Sequence, residues 1–315
     1  MSRIEAVPNV SEGRDEAVVA AIGAAYVSAG AKLVDTHRDV DHHRSVHTLF
    51  ADQATLVEAL VAGIRSAAEL IDLRQQDGVH PRVGAADVVP LIGFDDAGRE
   101  AARQGALAVG KRVGAELGLP VFLYGEVGQG RRPAFFRRGG PTELQRRLAA
   151  GELVPDFGPA RLDPGAGAVI VGARAPLIAF NLVLTDAELA LAEEVARAVR
   201  GSGGGMDGLQ AIGLRLASTR AIQVSMNVID VDRAPLHEAV ALVRAEARAR
   251  GADVGNGELV GLLPARVVAR AAAAAGVDRP LDDRGVPTSA ALEAAAVAFA
   301  LPGLERDRIV ERYLR

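Results

Sequence analysis

The feature that most constrains the fold is an order of elements that occurs twice. Ile4 to Val10 is a short β-type run, broken by Ser11-Glu12-Gly13. Asp15 to Ser28 then carries apolar residues at helical spacing and stops at Gly30. Lys32 to Thr36 and Ser45 to Phe50 read as two strands, Thr55 to Ile71 as a long helix, and Val88 to Phe94 as another strand. The order is β-α-β-β-α-β. A helix from Ala101 to Leu117, closed by Gly118, and a strand from Pro120 to Tyr124 extend it by a further α-β. The same order then returns. Leu177 to Leu184 is strand-like, and Thr185-Asp186-Ala187-Glu188 has the form of a capping box for a helix reaching Arg200. Leu209 to Leu216 and Ala221 to Ile229 read as strands, and Pro235 to Arg250 as a helix with proline in its first turn. Val260 to Leu263 closes the set as a short strand. The pattern repeats, not the residues. The predicted fold class is α/β (α+β): two split β-α-β-β-α-β-type subdomains, 1–176 and 177–315, with mixed sheets and helices packed on one face.

Composition narrows the partners. With 49% apolar and 24% charged residues the chain can bury a core and is not of the disordered class. A net charge of −4 and only 3% aromatics argue against nucleic acid as a partner. There is no cysteine, which excludes disulfides, thiolate zinc sites and a cysteine nucleophile, and is compatible with the cytoplasm. The residues after Met1 lack an apolar h-region, and the longest apolar tract, Ser289 to Leu301, is interrupted by Glu293 and ends at Pro302. That tract is too short to span a bilayer and reads as a buried alanine-rich helix, so no membrane partner is expected.

One segment invites chemistry. His80 follows the turn-forming Asp77-Gly78 and precedes Pro81, with Arg82 and Asp87 close behind. Proline restricts its own φ and biases the preceding residue to extended geometry, so the imidazole is presented on constrained backbone. Such a group moves protons near neutral pH; the plainer reading is a loop histidine beside a structural proline. Between the two halves lies a glycine- and proline-rich stretch, a favoured kind of place for a ligand as well as an ordinary connection. Within it Arg131, Arg132, Arg137 and Arg138 flank Phe135 and Phe136 and read as a solvated surface. A metal-dependent hydrolase built on His37, His42, His43 and His47 with Asp35, Asp39 and Asp41 is a rival, although the run 45–50 reads as a strand. His237 falls within a helical pattern and reads as structural. Gly203 to Gly205 is not a phosphate loop, since no Gly-Lys-Ser/Thr follows.

Several blocks in order resemble the glutamate formimidoyltransferase (formiminotransferase) family. They are Val7-Pro8-Asn9-Val10-Ser11-Glu12-Gly13-Arg14; Asp41-His42-His43-Arg44-Ser45-Val46, close to the family's Asp-His-Asn-Arg-Ser-Val; and His80-Pro81-Arg82 with Gly84-Ala85 and Asp87-Val88-Val89-Pro90. Val121 to Tyr124, Pro155 to Pro159, Gly167-Ala168 and Val171 to Arg174 follow. Ala179-Phe180-Asn181, Gln223 to Asn227 and Leu259 to Pro264 complete the set, so the resemblance covers nearly the whole chain. It implies transfer of the formimino group of N-formimino-L-glutamate to N5 of tetrahydrofolate, which acts as co-substrate, in a groove between two α/β subdomains and without a metal. It places the catalytic histidine at His80 and the folate-binding stretch at Gly158, Pro159, Ala160, Pro164, Gly165, Ala166 and Gly167. It also implies a cytoplasmic homodimer, and no cyclodeaminase domain, since the chain ends at Arg315.

Within that expectation Asp87 is a candidate to orient the imidazole, against a turn or cap role. Arg44, Arg82 and Arg174 are candidates for the carboxylates of formiminoglutamate and of a folate polyglutamate tail, because a guanidinium can pair bidentately with a carboxylate; structural ion pairing is the alternative for each. The chain departs from relatives at Val79, where many have glutamate, at Gln75 and Gln76, where a basic residue is common, and at Ala166, where some have tryptophan. A diverged formyl or formimino transferase with another donor, or a folate-binding protein without turnover, are the alternative readings.

Overall fold

The computed structural model describes residues 3–77 and 81–314. The chain divides into two compact units, Met1–Pro176 and Leu177–Arg315, and each is taken by itself.

The first unit begins with strands β1 (Ile4–Ala6) and β2 (Asn9–Val10), separated at Pro8, which has no N–H for a ladder. Helix α1 (Glu16–Ser28) starts where the Asp15 carboxylate accepts the N–H groups of Ala17 and Val18. Strands β3 (Lys32–Asp39) and β4 (Arg44–Ala51) form a hairpin, α2 (Gln53–Leu70) is capped by Asp52, and β5 (Ala86–Ile92) completes the set. Then come α3 (Asp96–Arg112), a π-helical turn over Val113–Leu117, and β6 (Val121–Gly125). Two helices follow, α4 (Pro133–Arg137) and α5 (Gly140–Ala149), and then β7 (Val169–Ala173). Starting from β5, the β1/β2 segment is next, then β4, then β3, all antiparallel. On the other side of β5 lie β7 and then β6, both parallel. The sheet is therefore mixed.

The second unit contains β8 (Ile178–Thr185), α6 (Leu189–Val199), β9 (Leu209–Arg215), β10 (Ile222–Val228), α7 (Leu236–Arg248) and β11 (Asp253–Val260). Helices α8 (Ala265–Ala274) and α9 (Ser289–Ala298) follow. The sheet order is β11-β8-β10-β9. Fourth strand, first, third, second is the order of β5, β1/β2, β4 and β3 as well, so both units share one topology. Each helical crossover skips one place in the sheet: the third strand of the unit fills the first gap and the first strand fills the second, both antiparallel.

Two expectations about the sheets need correction. The ladders of the second sheet are antiparallel throughout, so only the first is mixed. Helices do not lie on one face only. Along β6 and β7, Val121, Val169 and Val171 face the core under α1, α2 and α3, whereas Phe122, Tyr124 and Ile170 face Phe136 of α4 and Leu144 and Leu148 of α5. The stretch read as loop at 131–141 thus contains helices that cover the second face, with the Phe122 and Phe136 rings stacked 5.0 Å apart.

Local expectations diverge in two further places. Thr185 does not cap α6: it ends β8, where its hydroxyl donates to the Asp253 carbonyl at 3.4 Å, Asp186 has φ +55°, and α6 begins after Glu188 without a side-chain cap bond. The last strand of the second unit is Asp253–Val260 and not 260–263; its Val254-Gly255-Asn256-Gly257 run includes a register shift that erases the alternation. The alanine-rich helix read at 289–301 is present as α9, with Ala291, Leu292 and Ala295 buried.

Candidate active site

The site is built around two buried carboxylates of the first unit. Asp87 lies at the start of β5 with no exposed surface. Its Oδ2 accepts from Arg44 at 2.8 Å and from Arg137 at 2.5 Å, and its Oδ1 accepts the Val83 N–H at 2.8 Å. Burial alone would raise this carboxyl, but the Arg137 and Arg44 guanidiniums and the Val83 N–H outweigh it and bring it to about 2. Arg44 is held by the same pair and by Asn9, whose Oδ1 accepts from its Nε at 3.0 Å. Burial draws the Arg44 guanidinium down to about 10, still charged at neutral pH. Arg137, read from sequence as solvated, reaches inward from α4 and locks that helix to β5.

The second carboxylate is Glu12. A Cβ on Gly13 would lie 2.1 Å from the Asp39 carbonyl oxygen and 2.5 Å from the Arg44 nitrogen, so only glycine lets the loop after β2 press this closely on the β3–β4 hairpin. Glu12 Oε1 accepts the N–H groups of Gly13, Arg14 and Asp15 at 2.9, 2.7 and 3.0 Å. His43 Nε2 stands 2.9 Å from the same oxygen, and Gln76 Nε2 donates to Oε2 at 3.2 Å. Burial opposes ionisation of Glu12, but the backbone donors of Asp15 and Arg14, then Gln76 and His43, lower its carboxyl below the usual range. His43 is in the left-handed region, φ +48°, and is buried. Its turn is shaped by Asp39, whose Oδ1 accepts the N–H groups of Asp41 and His42, each at 2.8 Å.

The backbone on either side of residues 78–80 is fastened to this cluster. Before them, Gln76 bonds Glu12, and Asp77 pairs with Arg14 at 2.5 Å. After them, Arg82 donates to the carbonyls of His43 and His42 at 3.1 and 2.8 Å. The catalytic candidate His80 itself, with Gly78 and Val79, lies outside the described residues.

The stretch 158–167 joins the same region. Gly158 (φ +79°) and Gly167 (φ +70°) turn it where a Cβ would lie 2.1 Å from the Leu119 and Val83 carbonyl oxygens respectively. Gly158, Ala160 and Pro164 are exposed, Pro159 and Gly165 half-buried, and Ala166 and Gly167 buried. Asp163 Oδ1 accepts the N–H groups of Gly165 and Ala166 at 2.9 and 2.7 Å. The Gly165 carbonyl accepts from Leu73 and the Ala166 carbonyl from Ala85, each at 2.8 Å. The stretch is thus bonded to the chain both before and after residues 78–80.

Other candidates are placed differently. Arg174 donates to the Ala175 carbonyl at 2.9 Å and acts on Tyr124, whose hydroxyl burial raises above its ordinary range. The histidines weighed as metal ligands turn to separate partners: His42 Nδ1 lies 2.5 Å from Asp39 Oδ2, His43 faces Glu12, and His47 packs on Tyr26. Burial pushes the His47 imidazole down to about 4. His237 lies in α7, where burial lowers its imidazole. Sequence reasoning missed Glu12, Gln76 and Arg137 as site residues and treated His43 only as a possible metal ligand. Glu12 and His43 lie inside family-like blocks, which was the available signal; nothing local marked Arg137. In the second unit Asn181 sits between Ser225 and Glu258 in register and donates to Glu258 Oε2 at 2.9 Å.

The model of the formiminotransferase domain's N-terminal subdomain matches residues 3–174, and that of the formiminotransferase domain matches 179–275. A glutamate formimidoyltransferase of Thermoplasma acidophilum is 39% identical over 84% of this chain and 89% of its own length. One from Streptococcus pyogenes serotype M1 is 35% identical over 84% of this chain and 90% of its own. The formimidoyltransferase-cyclodeaminase of Rattus norvegicus is 36% identical over 86% of this chain but only 52% of its own length.

Proposed function

The chain belongs to the formiminotransferase family, and from that premise we propose that it is a glutamate formimidoyltransferase, moving the formimino group of N-formimino-L-glutamate to N5 of tetrahydrofolate. The observation that carries the reading is the 35% and 39% identity to proteins of that name across 84% of the chain. N5 of the reduced pterin attacks the amidine carbon and forms a tetrahedral intermediate. N5 then loses a proton, the glutamate nitrogen gains one, and the C–N bond to glutamate breaks. His80 is assigned both proton transfers, since imidazole is the side chain suited to take up and return a proton near neutral pH.

The bonds from Gly165 and Ala166 to Leu73 and Ala85 support assigning Gly158, Pro159, Ala160, Pro164, Gly165, Ala166 and Gly167 to the folate, beside the segment that carries His80. Arg82 and Arg174 are assigned to substrate carboxylates. Arg44 and Asp87 act behind them: their buried pairing fixes the start of β5 and the Val83 backbone. No metal is assigned a role. A cytoplasmic homodimer belongs to the same reading, and among the described residues no helix is long and apolar enough to cross a membrane.

An assay of purified protein with tetrahydrofolate and N-formimino-L-glutamate tests the proposal, with N-formyl-L-glutamate as a parallel donor. Product is expected from the formimino donor, and His80→Ala should lower kcat by at least about a hundredfold. Normal turnover by that variant removes His80 from the mechanism, and product from the formyl donor alone replaces the assigned reaction.

A further inference from the structure

Within the first unit, guanidiniums outnumber the carboxylates that meet them around Asp87. Among the described residues Asp87 is the one carboxylate paired with Arg44, Arg137 or Arg174, and Arg44 and Arg137 both donate to its Oδ2. The Arg137 side chain is only 14% exposed. Its Nη2 is held by Asp87, while its Nε is buried and has no hydrogen-bond partner among the described residues. A buried guanidinium short of acceptors carries a desolvation cost that a bound anion would remove. Tyr124 lies nearby, 5% exposed, with its ring over Gly172, where a Cβ would lie 2.4 Å from the ring's Cδ1. Burial raises the Tyr124 phenol, and Arg174 and then Arg137 oppose that rise. Arg137 ends α4 and Arg174 follows β7, so two guanidiniums from separate elements act on one hydroxyl.

We propose that Arg137 and the Tyr124 hydroxyl join Arg174 in binding one carboxylate of the glutamate moiety of the formimino donor, with Asp87 and Arg44 behind them holding Arg137 in place. The proposal rests on the transferase reading for the identity of that donor, and makes Arg137 and Tyr124 specificity-determining residues for it. Charge is the first argument. Arg44, Arg137 and Arg174 face one internal carboxylate, and charges withdrawn from water are stable when paired. Donor chemistry is the second. A guanidinium fork beside a phenol suits a planar acceptor with two oxygens. Preorganisation is the third: Asp87 fixes the Arg137 side chain before a ligand arrives, which reduces the ordering cost of binding. A site as little exposed as Arg137 and Tyr124 suits a free amino-acid dicarboxylate better than the long tail of a folate.

The test uses L-glutamate, the product released, as a calorimetric probe, beside L-glutamine and L-isoglutamine, each of which neutralises one carboxylate. The native protein should bind glutamate and bind one of the two amides about tenfold to a hundredfold more weakly, the size of a lost hydrogen bond between charged groups. Arg137→Lys keeps the charge and loses the fork; Tyr124→Phe keeps the ring over Gly172 and loses the hydroxyl. Affinity for glutamate should fall at least about tenfold in the first and about threefold in the second, and the discrimination against that amide should shrink in both. KM for N-formimino-L-glutamate should rise in the same order, far more than kcat falls, with KM for tetrahydrofolate monoglutamate and the thermal midpoint little changed. Should Arg137→Lys lower the midpoint, Tyr124→Phe decides alone. Absence of glutamate binding by the native protein, binding unchanged in the variants, or a KM change shared by or confined to the folate overturns the proposal. Glutamate binding that obeys these expectations without formimino transfer leaves the site standing and overturns the transferase reading; transfer with glutamate binding indifferent to both variants does the reverse.

Discussion

The two units run through one topology and fill it with different chemistry. In the second, β8 and β10 bury Phe180, Leu182, Val224 and Met226 against α6 and α7, and among the described residues the buried polar ones are Asn181 and Gln223. In the first, the equivalent strands and the loops and turn beside them bury Glu12, His43, Arg44, His47, Arg82 and Asp87. A sheet with helices on it needs none of these polar groups, and each costs desolvation energy that an apolar side chain would not. The comparison teaches that the fold is stabilised by what the units share, and that the chemistry is to be sought in what only one of them carries.

The sharpest way to break that contrast is Asp87→Asn. It leaves Arg44 and Arg137 buried beside a neutral amide, and loss of one partner of a buried ion pair costs about 3–5 kcal/mol. Urea unfolding should register that loss in the first unit. A change below about 1 kcal/mol would mean that the network does not hold β5 and α4 together.

A second test uses pH. His47 is neutral when folded, with its imidazole at about 4 against an ordinary value of 6.5. Its contribution is complete above about pH 6.5 and is lost as pH falls toward 4, because the unfolded chain takes up the proton first; the full effect is on the order of 3 kcal/mol. Asp87, at about 2, is lost only below the ordinary carboxyl range of 3.8, so the two windows separate. His47→Leu should flatten the stability curve between pH 6.5 and 4, and an unchanged slope would remove the buried imidazole as its cause.

The smallest effect should be the same in both units. Asp15→Ala removes the cap of α1 and Thr288→Ala that of α9, each costing about 1 kcal/mol by denaturant midpoint. Unequal losses well beyond this would show that the caps carry tertiary roles.

Much of the architecture was legible because strands and helices announce themselves locally. The runs at 45–50 and 221–229 and the spacing at 55–71 are short-range patterns, and they led to the repeated β-α-β-β-α-β order, though not to α4, α5 or β7. Patterns failed where a residue's role was decided elsewhere. Thr185 and Glu188 have the spacing of a cap, yet Thr185 is drawn to Asp253 across the sheet. Arg137 sits among exposed arginines, yet Asp87, fifty residues away, draws it inward. The strand at 253–260 carries two glycines and an asparagine and is a strand only because β8 lies beside it.

By itself, then, the amino-acid sequence determined the repeated element order, the family and the segment in which to look for chemistry, since all of these depend on residue identity and near neighbours. Only the tertiary structure decided that Glu12 would gather the loop, the turn and the approach to residue 78, and that Asp87 would hold two arginines. A carboxylate's partners are chosen by which donors burial brings within about 3 Å, and that distance is set by the packing of distant strands and helices.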